Sequence, residues 1–262
     1  MTAKETFKFR YPPFSDTFEV REPFLSTQDE ALLKRAESFI SQGKSLCLYG
    51  EPGVGKSMLL KSLGERLDPK TYLTAAIPYA SLKRSALLRE LCEEFGIDTS
   101  GRGSLIRRLA KHFGALKDKG FPVIIIDDAH AMEKESFMDL CALLHDGKSR
   151  TASASLVLCG HGNLKTMMGL DIFAPVRTRM AFMFRMARLD AEEATAFVKY
   201  RLKIAEASEN LIDDDALAIL AADAGGNRRE LMNRCAMALE LAIERNEKII
   251  TPDLVNNMEL AA

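Results

Sequence analysis

The sequence has little that would tie it to a membrane, to an oxidising compartment or to nucleic acid through bulk charge. No apolar run approaches the ~18 residues of a membrane span, and the N-terminus lacks the pattern of a secretory signal. The five cysteines (Cys47, Cys92, Cys141, Cys159 and Cys235) are scattered, form no CxxC pair and sit among apolar neighbours. They read as core thiols in a reducing compartment rather than as a disulfide framework. With 36 Lys and Arg against 37 Asp and Glu, the net charge is −1. Nucleic acid is therefore not attracted globally, and any such binding must come from a local patch. No internal repeat is visible. These absences lead us to expect a cytoplasmic protein with no membrane partner. Its 262 residues, 47% apolar and 28% charged, are enough for one large domain or two small ones.

What is present is organised around Ser45–Ser57. Ser45-Leu-Cys-Leu-Tyr49 reads as a buried strand, and Gly50-Glu51-Pro52-Gly53-Val54-Gly55-Lys56-Ser57 as a glycine-rich turn. Met58-Leu-Leu-Lys-Ser-Leu then starts a helix. Strand, GxxxxGK[ST] and helix in that order make a phosphate-binding loop. Its glycines let successive N–H groups point at one anion, and the helix N-terminus adds positive partial charge. Lys56 would reach the β- and γ-phosphates of ATP, and the Ser57 hydroxyl would hold Mg²⁺.

Around this loop the chain divides three ways. Residues 1–26 are rich in aromatics and proline and lack periodicity. We expect an irregular segment that packs its aromatics onto the nucleotide domain, either near the base or as an arm without ligand contact. Residues 27–188 alternate helical patterns (Leu82–Phe95, Ser104–Lys119, Lys134–Leu144) with short apolar runs (Tyr72–Pro78, Val123–Asp127, Ser155–Cys159, Phe182–Met186). Continuous apolar strands separated by helices indicate an α/β parallel sheet covered on both faces. From Leu189 the strands stop, and Ala191–Ala207, Asp214–Ala224, Arg228–Glu244 and Pro252–Leu260 read as the helices of a small all-helical domain, 189–262. Asp213 and Thr251-Pro252 are suitable helix starts.

A second acidic element completes the candidate site. Val123-Ile-Ile-Ile126 ends in Asp127-Asp128, and two carboxylates after a buried strand are costly unless they face a cation or water. Asp127 is the expected Mg²⁺-organising acid and Asp128 the base that orients an attacking water. Asp128 is shorter than the glutamate usual there, so slow hydrolysis is expected. Asp127-Asp-Ala-His130 also matches a helicase box, but the other motifs of a two-lobed helicase core are missing.

On these motifs the chain resembles a AAA+ ATPase, and within that class the ExeA-like group that includes the transposition ATPases of the TniB, TnsC and Mu B type. The likeness runs from Tyr11-Pro-Pro-Phe14 through Gly50–Ser57 and Asp127–His130 into the C-terminal helices, and implies a AAA+ sheet followed by a helical lid. It also implies roles for further residues. Leu158–Leu164 would carry sensor 1, placing His161 beside the γ-phosphate, although Asn, Thr or Gln is more usual there. In Val176-Arg177-Thr-Arg179-Met180, Arg179 is the better match and Arg177 the second for an arginine that reaches a neighbouring subunit's site, where its planar fork clamps a phosphate. In Gly225-Gly-Asn-Arg228-Arg229, Arg229 is the better match for sensor 2, and Arg228 reads as a solvated charge at a helix start.

The resemblance further implies a homo-oligomer, as a ring or helical filament, and two competing uses. One is a transposition helper that assembles with ATP along double-stranded DNA and recruits a transposase. The other is an accessory ATPase of secretion or envelope assembly, whose members usually add a membrane segment and a wall-binding domain that this sequence does not contain. An ATP-gated adaptor with little turnover is a third. Residues 81–120 hold nine Lys and Arg against five acids, which supports the DNA use. Lys83 and Arg84 at a helix start and Arg102 in a Gly-Arg-Gly turn are placed to meet backbone phosphates, unless this is simply a solvated helix face.

Overall fold

The computed structural model describes residue 7 and residues 9–18, 20–78, 81–100, 103–116, 119–145 and 151–258. The chain divides into two units. One comprises Thr27–Pro52 and Lys56–Met186, and the other comprises Met1–Ser26, Gly53–Gly55 and Ala187–Ala262.

The larger unit is a five-stranded parallel sheet. In chain order the strands are β1 (Ser45–Tyr49), β2 (Tyr72–Ile77), β3 (Phe121–Ile126), β4 (Ser155–Gly160) and β5 (Met180–Arg185), arranged in space as β2-β3-β4-β1-β5. Parallel neighbours need crossover connections, and helices supply them: α1 (Thr27–Ser41) leads into β1, then come α2 (Lys56–Arg66), α3 (Arg84–Glu94), α4 (Leu105–Ala115), α5 (Lys134–Leu143), α6 (Gly162–Gly169) and α7 (Ala174–Arg177). Strand side chains alternate between faces, so a sheet covered on both sides needs unbroken apolar runs. Ile124, Ile126, Leu156 and Leu158 join one core with Leu87, Leu91, Phe113 and Phe137 from α3, α4 and α5. Ile125 points the other way, its Cδ1 3.9 Å from where a side chain on Gly64 of α2 would begin.

The strand order fixes what meets at the carboxyl ends. β4 pairs with β1 on one side (Tyr49 opposite Gly160) and with β3 on the other (Ile126 opposite Leu158). The chain leaving β4 therefore emerges between the loops leaving β1 and β3. The next strand after β1 lies at the far edge, so this is the switch point of the sheet, where open α/β folds take their ligands.

The other unit is helical: α8 (Ala191–Ile204), α9 (Asp214–Asp223), α10 (Arg228–Glu244) and α11 (Pro252–Asn256). Asp190 and Glu193 form a reciprocal capping box on α8, and Asp213, Asn227 and Thr251 cap the next three helices. Gly226 has φ +76°, and a Cβ there would lie 2.0 Å from the Leu189 carbonyl oxygen; only glycine allows that approach. The last two residues expected in the final helix, 259 and 260, lie outside the described residues.

The N-terminal aromatics do not pack where the sequence suggested. Phe7, Phe9 and Phe14 belong to the core of the helical unit, beside Leu217, Leu239 and Leu254, not to the nucleotide domain. The reason is the apolar surface of α8 and its polar anchor. Arg201, only 8% exposed, donates from Nε to the Pro13 carbonyl at 2.7 Å and from Nη2 to the Ser15 carbonyl at 3.2 Å. Its guanidinium also lies 5.4 Å from the centre of the Phe18 ring. Burial lowers the Arg201 pKa from its ordinary value. Replacing Arg201 with Met keeps the apolar stem but orphans both carbonyls, so unfolding free energy should fall by about 1–3 kcal/mol. Urea titration measures that loss, and chymotrypsin should cut after Phe14 or Phe18 faster than in the wild type.

Candidate functional site

β1 ends at Tyr49 and the chain turns through Gly50, whose N–H bonds the Gly160 carbonyl on β4 at 3.2 Å. Gly53 and Gly55 take φ of +80° and +99° around the buried Val54, the left-handed excursions that turn backbone N–H groups inward to make an anion nest. α2 begins at Lys56, so its unbonded N–H groups face the same region.

Lys56 is 7% exposed. Its ammonium donates to the Glu51 carbonyl at 2.8 Å, and among the described residues no carboxylate lies within ion-pair distance of it. A buried cation matched only by a carbonyl dipole is poorly compensated. A phosphate chain supplies the missing charge, and the residues present therefore fit a nucleotide. Ser57 follows on the exposed side of the first helical turn, and Met58 is half-buried behind it.

Asp127 and Asp128 have different environments. Asp127 is buried, its N–H bonds the Ile77 carbonyl at 2.9 Å, and its Oδ1 accepts the Asp128 N–H at 2.8 Å. The neighbouring Cys159 thiol has its pKa pushed well above the ordinary range, first by burial and then by the Asp127 carboxylate. A carboxylate and a serine hydroxyl are both oxygen donors, the kind that Mg²⁺ prefers.

Asp128 adopts a left-handed conformation (φ 48°, ψ 32°), a strain of about 1 kcal/mol for a residue with a side chain. The strand gives way here to a short 3₁₀ turn, Ala129–Ala131. The half-exposed Asp128 carboxylate lies 3.8 Å from His130 Nδ1 and 3.9 Å from His161 Nε2. The two imidazoles meet edge to face, centroids 4.3 Å apart. The His161 pKa is lowered, chiefly by burial and next by the Lys56 ammonium, which favours the neutral ring. His161 is the residue before α6.

Among the arginines, Arg177 Nη1 donates to the Met168 and Leu170 carbonyls at 2.7 and 3.5 Å, anchoring the end of α6. Arg179 is exposed, with Nη1 on the Pro175 carbonyl at 2.8 Å. In the helical unit Arg228 is buried and donates from Nη1 to the Val54 carbonyl. That corrects the reading of Arg228 as a solvated charge and agrees with the alternative that one of the two arginines is structural, although its acceptor is a loop carbonyl. The neighbouring Arg229 side chain is exposed, while its N–H reaches Asn227 Oδ1 at 3.1 Å and the Gly53 carbonyl at 3.2 Å.

The basic region is less open to phosphate than its composition implies. Arg84 forks onto Asp139, with Nε to Oδ2 at 2.6 Å and Nη2 to Oδ1 at 2.9 Å. Arg108 Nη1 bonds the Asp98 and Ser100 carbonyls. Lys83 is exposed at the start of α3, and Arg102 lies outside the described residues. Arg84, expected either to meet a backbone phosphate or to lie on a solvated helix face, thus has its fork engaged by the Asp139 carboxylate.

Residues 38–168, half of the chain, match the family described as AAA domain. The chain belongs to the AAA domain family. It is 25% identical over 254 residues, 95% of its length, to the general secretion pathway protein A of Aeromonas hydrophila. It spans 46% of that relative. Among solved structures it resembles the Aeropyrum pernix ORC2 protein in its ADPNP-ADP complexes (TM-score 0.72, 16% identity, 95% of this chain and 71% of that one). It also resembles the A. pernix ORC1 protein in complex with DNA (TM-score 0.71, 17% identity, 97% and 69%). The parallel sheet with its flanking helices is the P-loop AAA+ fold, followed by C-terminal helices, as the sequence suggested. Among the described residues no helix of this AAA protein is long and apolar enough to cross a membrane.

Sequence reasoning missed His130. The signal was the histidine three residues after Asp127 together with Gly160-His161-Gly162, two loops that leave adjacent strands. For the loop itself, Lys56→Ala should weaken ATP binding roughly 10- to 100-fold, the worth of a charge-assisted hydrogen bond. Asp127→Asn should instead raise the Mg²⁺ concentration needed for half-maximal binding. Fluorescent-nucleotide titrations at varied Mg²⁺ separate the two effects.

Proposed function

We propose that this chain binds ATP with Mg²⁺ and hydrolyses it slowly within a homo-oligomeric ring or filament on double-stranded DNA, as a transposition helper that recruits a transposase. The nucleotide half of this reading is carried by Lys56, a buried ammonium that lacks a carboxylate partner among the described residues. The backbone of Gly50–Gly55 and the start of α2 cradle the phosphates, and Lys56 adds a point charge. Ser57 and Asp127 would hold Mg²⁺, which when bound draws negative charge off the phosphate oxygens.

Asp128 is the general base. Its carboxylate is half-exposed and faces the region reached by neutral His161, which can offer one N–H to a phosphate oxygen or a water. Arg179 is the arginine for a neighbouring subunit, since it is exposed while Arg177 is held by the carbonyls that end α6. Arg229, exposed at the start of α10, is the arginine for the sensor 2 role. Arg228 positions the loop through Val54.

The DNA half rests on exposed Lys83 within the basic stretch, and draws support from the fold shared with a protein solved in complex with DNA. A second reading is favoured by a different observation. The similarity to a general secretion pathway protein extends over 95% of this chain, which suits an accessory ATPase of secretion.

Two experiments test these readings. Arg179→Ala should bind ATP yet turn it over at least tenfold more slowly, as expected when a clamping arginine is removed. Mixing it with Lys56→Ala chains should restore part of the turnover, because mixed interfaces pair an intact loop with an intact arginine. Absence of rescue in verified mixed oligomers places Arg179 within its own site.

Binding to duplexes of increasing length is the second. With a non-hydrolysable ATP analogue, affinity should rise with length and fall steeply with salt, whatever the sequence. Lys83→Ala should flatten the salt slope. Binding that is absent, or indifferent to nucleotide, favours the secretion reading.

A further inference from the structure

Three side chains beside the phosphate loop make a donor set that ATP hydrolysis does not require. One oxygen of Asp128 and one ring nitrogen each of His130 and His161 all lie within 4.8 Å of one another. The carboxylate is 3.8 and 3.9 Å from the two nitrogens. His130 Nδ1 is fully buried and has no hydrogen-bond partner among the described residues, although a buried polar atom normally finds one. It lies against Gly160, 3.1 Å from where a side chain there would begin. The left-handed backbone of Asp128 turns the carboxylate towards both rings.

Two imidazoles and one carboxylate with a side open to water match the three-ligand sites of zinc-type ions, whereas Mg²⁺ prefers oxygen alone. Metal–ligand bonds of about 2.0–2.2 Å place tetrahedral ligands roughly 3.3–3.6 Å apart. Closing the observed 3.8–3.9 Å to that spacing takes only small rotations, and Asp128 and His161 are partly exposed and able to make them.

We propose that Asp128, His130 and His161 bind one divalent transition-metal ion of the zinc class, and that this ion switches hydrolysis off by occupying the carboxylate that would orient the attacking water. The ion is distinct from the Mg²⁺ held by Ser57 and Asp127. The switching half rests on the ATPase reading; the binding half does not. A chain so loaded keeps its phosphate loop and stays in the ATP-bound form for longer. Sub-stoichiometric metal thereby prolongs any assembly that ATP maintains.

The test is a titration of the chelator-stripped, nucleotide-free full chain with CoCl₂, followed by visible absorption and by proton NMR. A ligand-field band should saturate at one Co²⁺ per chain, with strongly shifted signals from two imidazoles. His130→Ala and His161→Ala should each weaken binding roughly tenfold or more, since even losing a group that merely orients a ligand costs 10- to 100-fold. No band, shifted signals from fewer than two imidazoles, or affinities in both variants equal to the wild type overturns the site. The imidazole count needs only the wild-type chain, so a variant that fails to fold leaves the proposal open to refutation.

One equivalent of Zn²⁺ should then lower Mg²⁺-ATP turnover while ATP binding persists. Co²⁺ binding with undiminished turnover under Zn²⁺ overturns the switching half alone. Turnover without any Co²⁺ site overturns the metal proposal and leaves the ATPase reading standing.

Discussion

A buried lysine that lacks a carboxylate partner among the described residues imposes the main constraint on this molecule. Lys56 sits at the first position of α2, nearly out of solvent, with the Glu51 carbonyl as its hydrogen-bond acceptor. Desolvating an ammonium without a counter-charge costs several kcal/mol, so the surroundings must hold it against that cost. They do so by continuity: the strand before the loop is an interior strand of the sheet, paired on both sides, and the helix after it packs on one face. The positive-φ glycines then let the backbone return to the helix within a few residues. Removing the strand or the helix would release the lysine to water and abolish the asymmetry of charge on which anion binding depends.

Strand order extends this constraint to the acids. With β4 between β1 and β3, a residue just beyond β4 faces both the phosphate loop and the carboxylates that follow β3. His161 is at that position, where burial and then the Lys56 ammonium lower its pKa and its Nε2 lies 3.9 Å from Asp128. Sequence neighbours could not produce this set: 71 residues separate Lys56 from Asp127, and 33 separate Asp128 from His161. Only the crossover topology brings them to the same end of the sheet.

Much of this was legible in the sequence because the signals were local and redundant. The GxxxxGK[ST] spacing, the run of isoleucines before Asp127 and the capping residues Asp213 and Thr251 each specify their own neighbourhood. They led to the correct strands, sheet class and loop. Other features depend on partners far along the chain. The packing of Phe7, Phe9 and Phe14 required knowing that α8 presents apolar surface and that Arg201 reaches Pro13 and Ser15. The burial of Arg228, the pairing of Arg84 with Asp139 and the approach of His130 to His161 are likewise tertiary facts. Charge counting over residues 81–120 could not distinguish an arginine open to phosphate from one already forked onto a carboxylate.

The way the two units share the chain has a consequence for how the protein is made. Phe7, Phe9 and Phe14, which complete the helical unit, leave the ribosome before the strands of the sheet, and the helices they pack against leave after them. At 5–20 residues per second, the intervening stretch of about 160 residues takes on the order of ten seconds or more to synthesise. During that time an arm of exposed aromatics must wait, while the sheet, whose strands are all encoded between, can close by itself. Biogenesis is thus ordered from the inside of the sequence outwards, and the arm is the part most exposed to chaperones and proteases in the nascent chain.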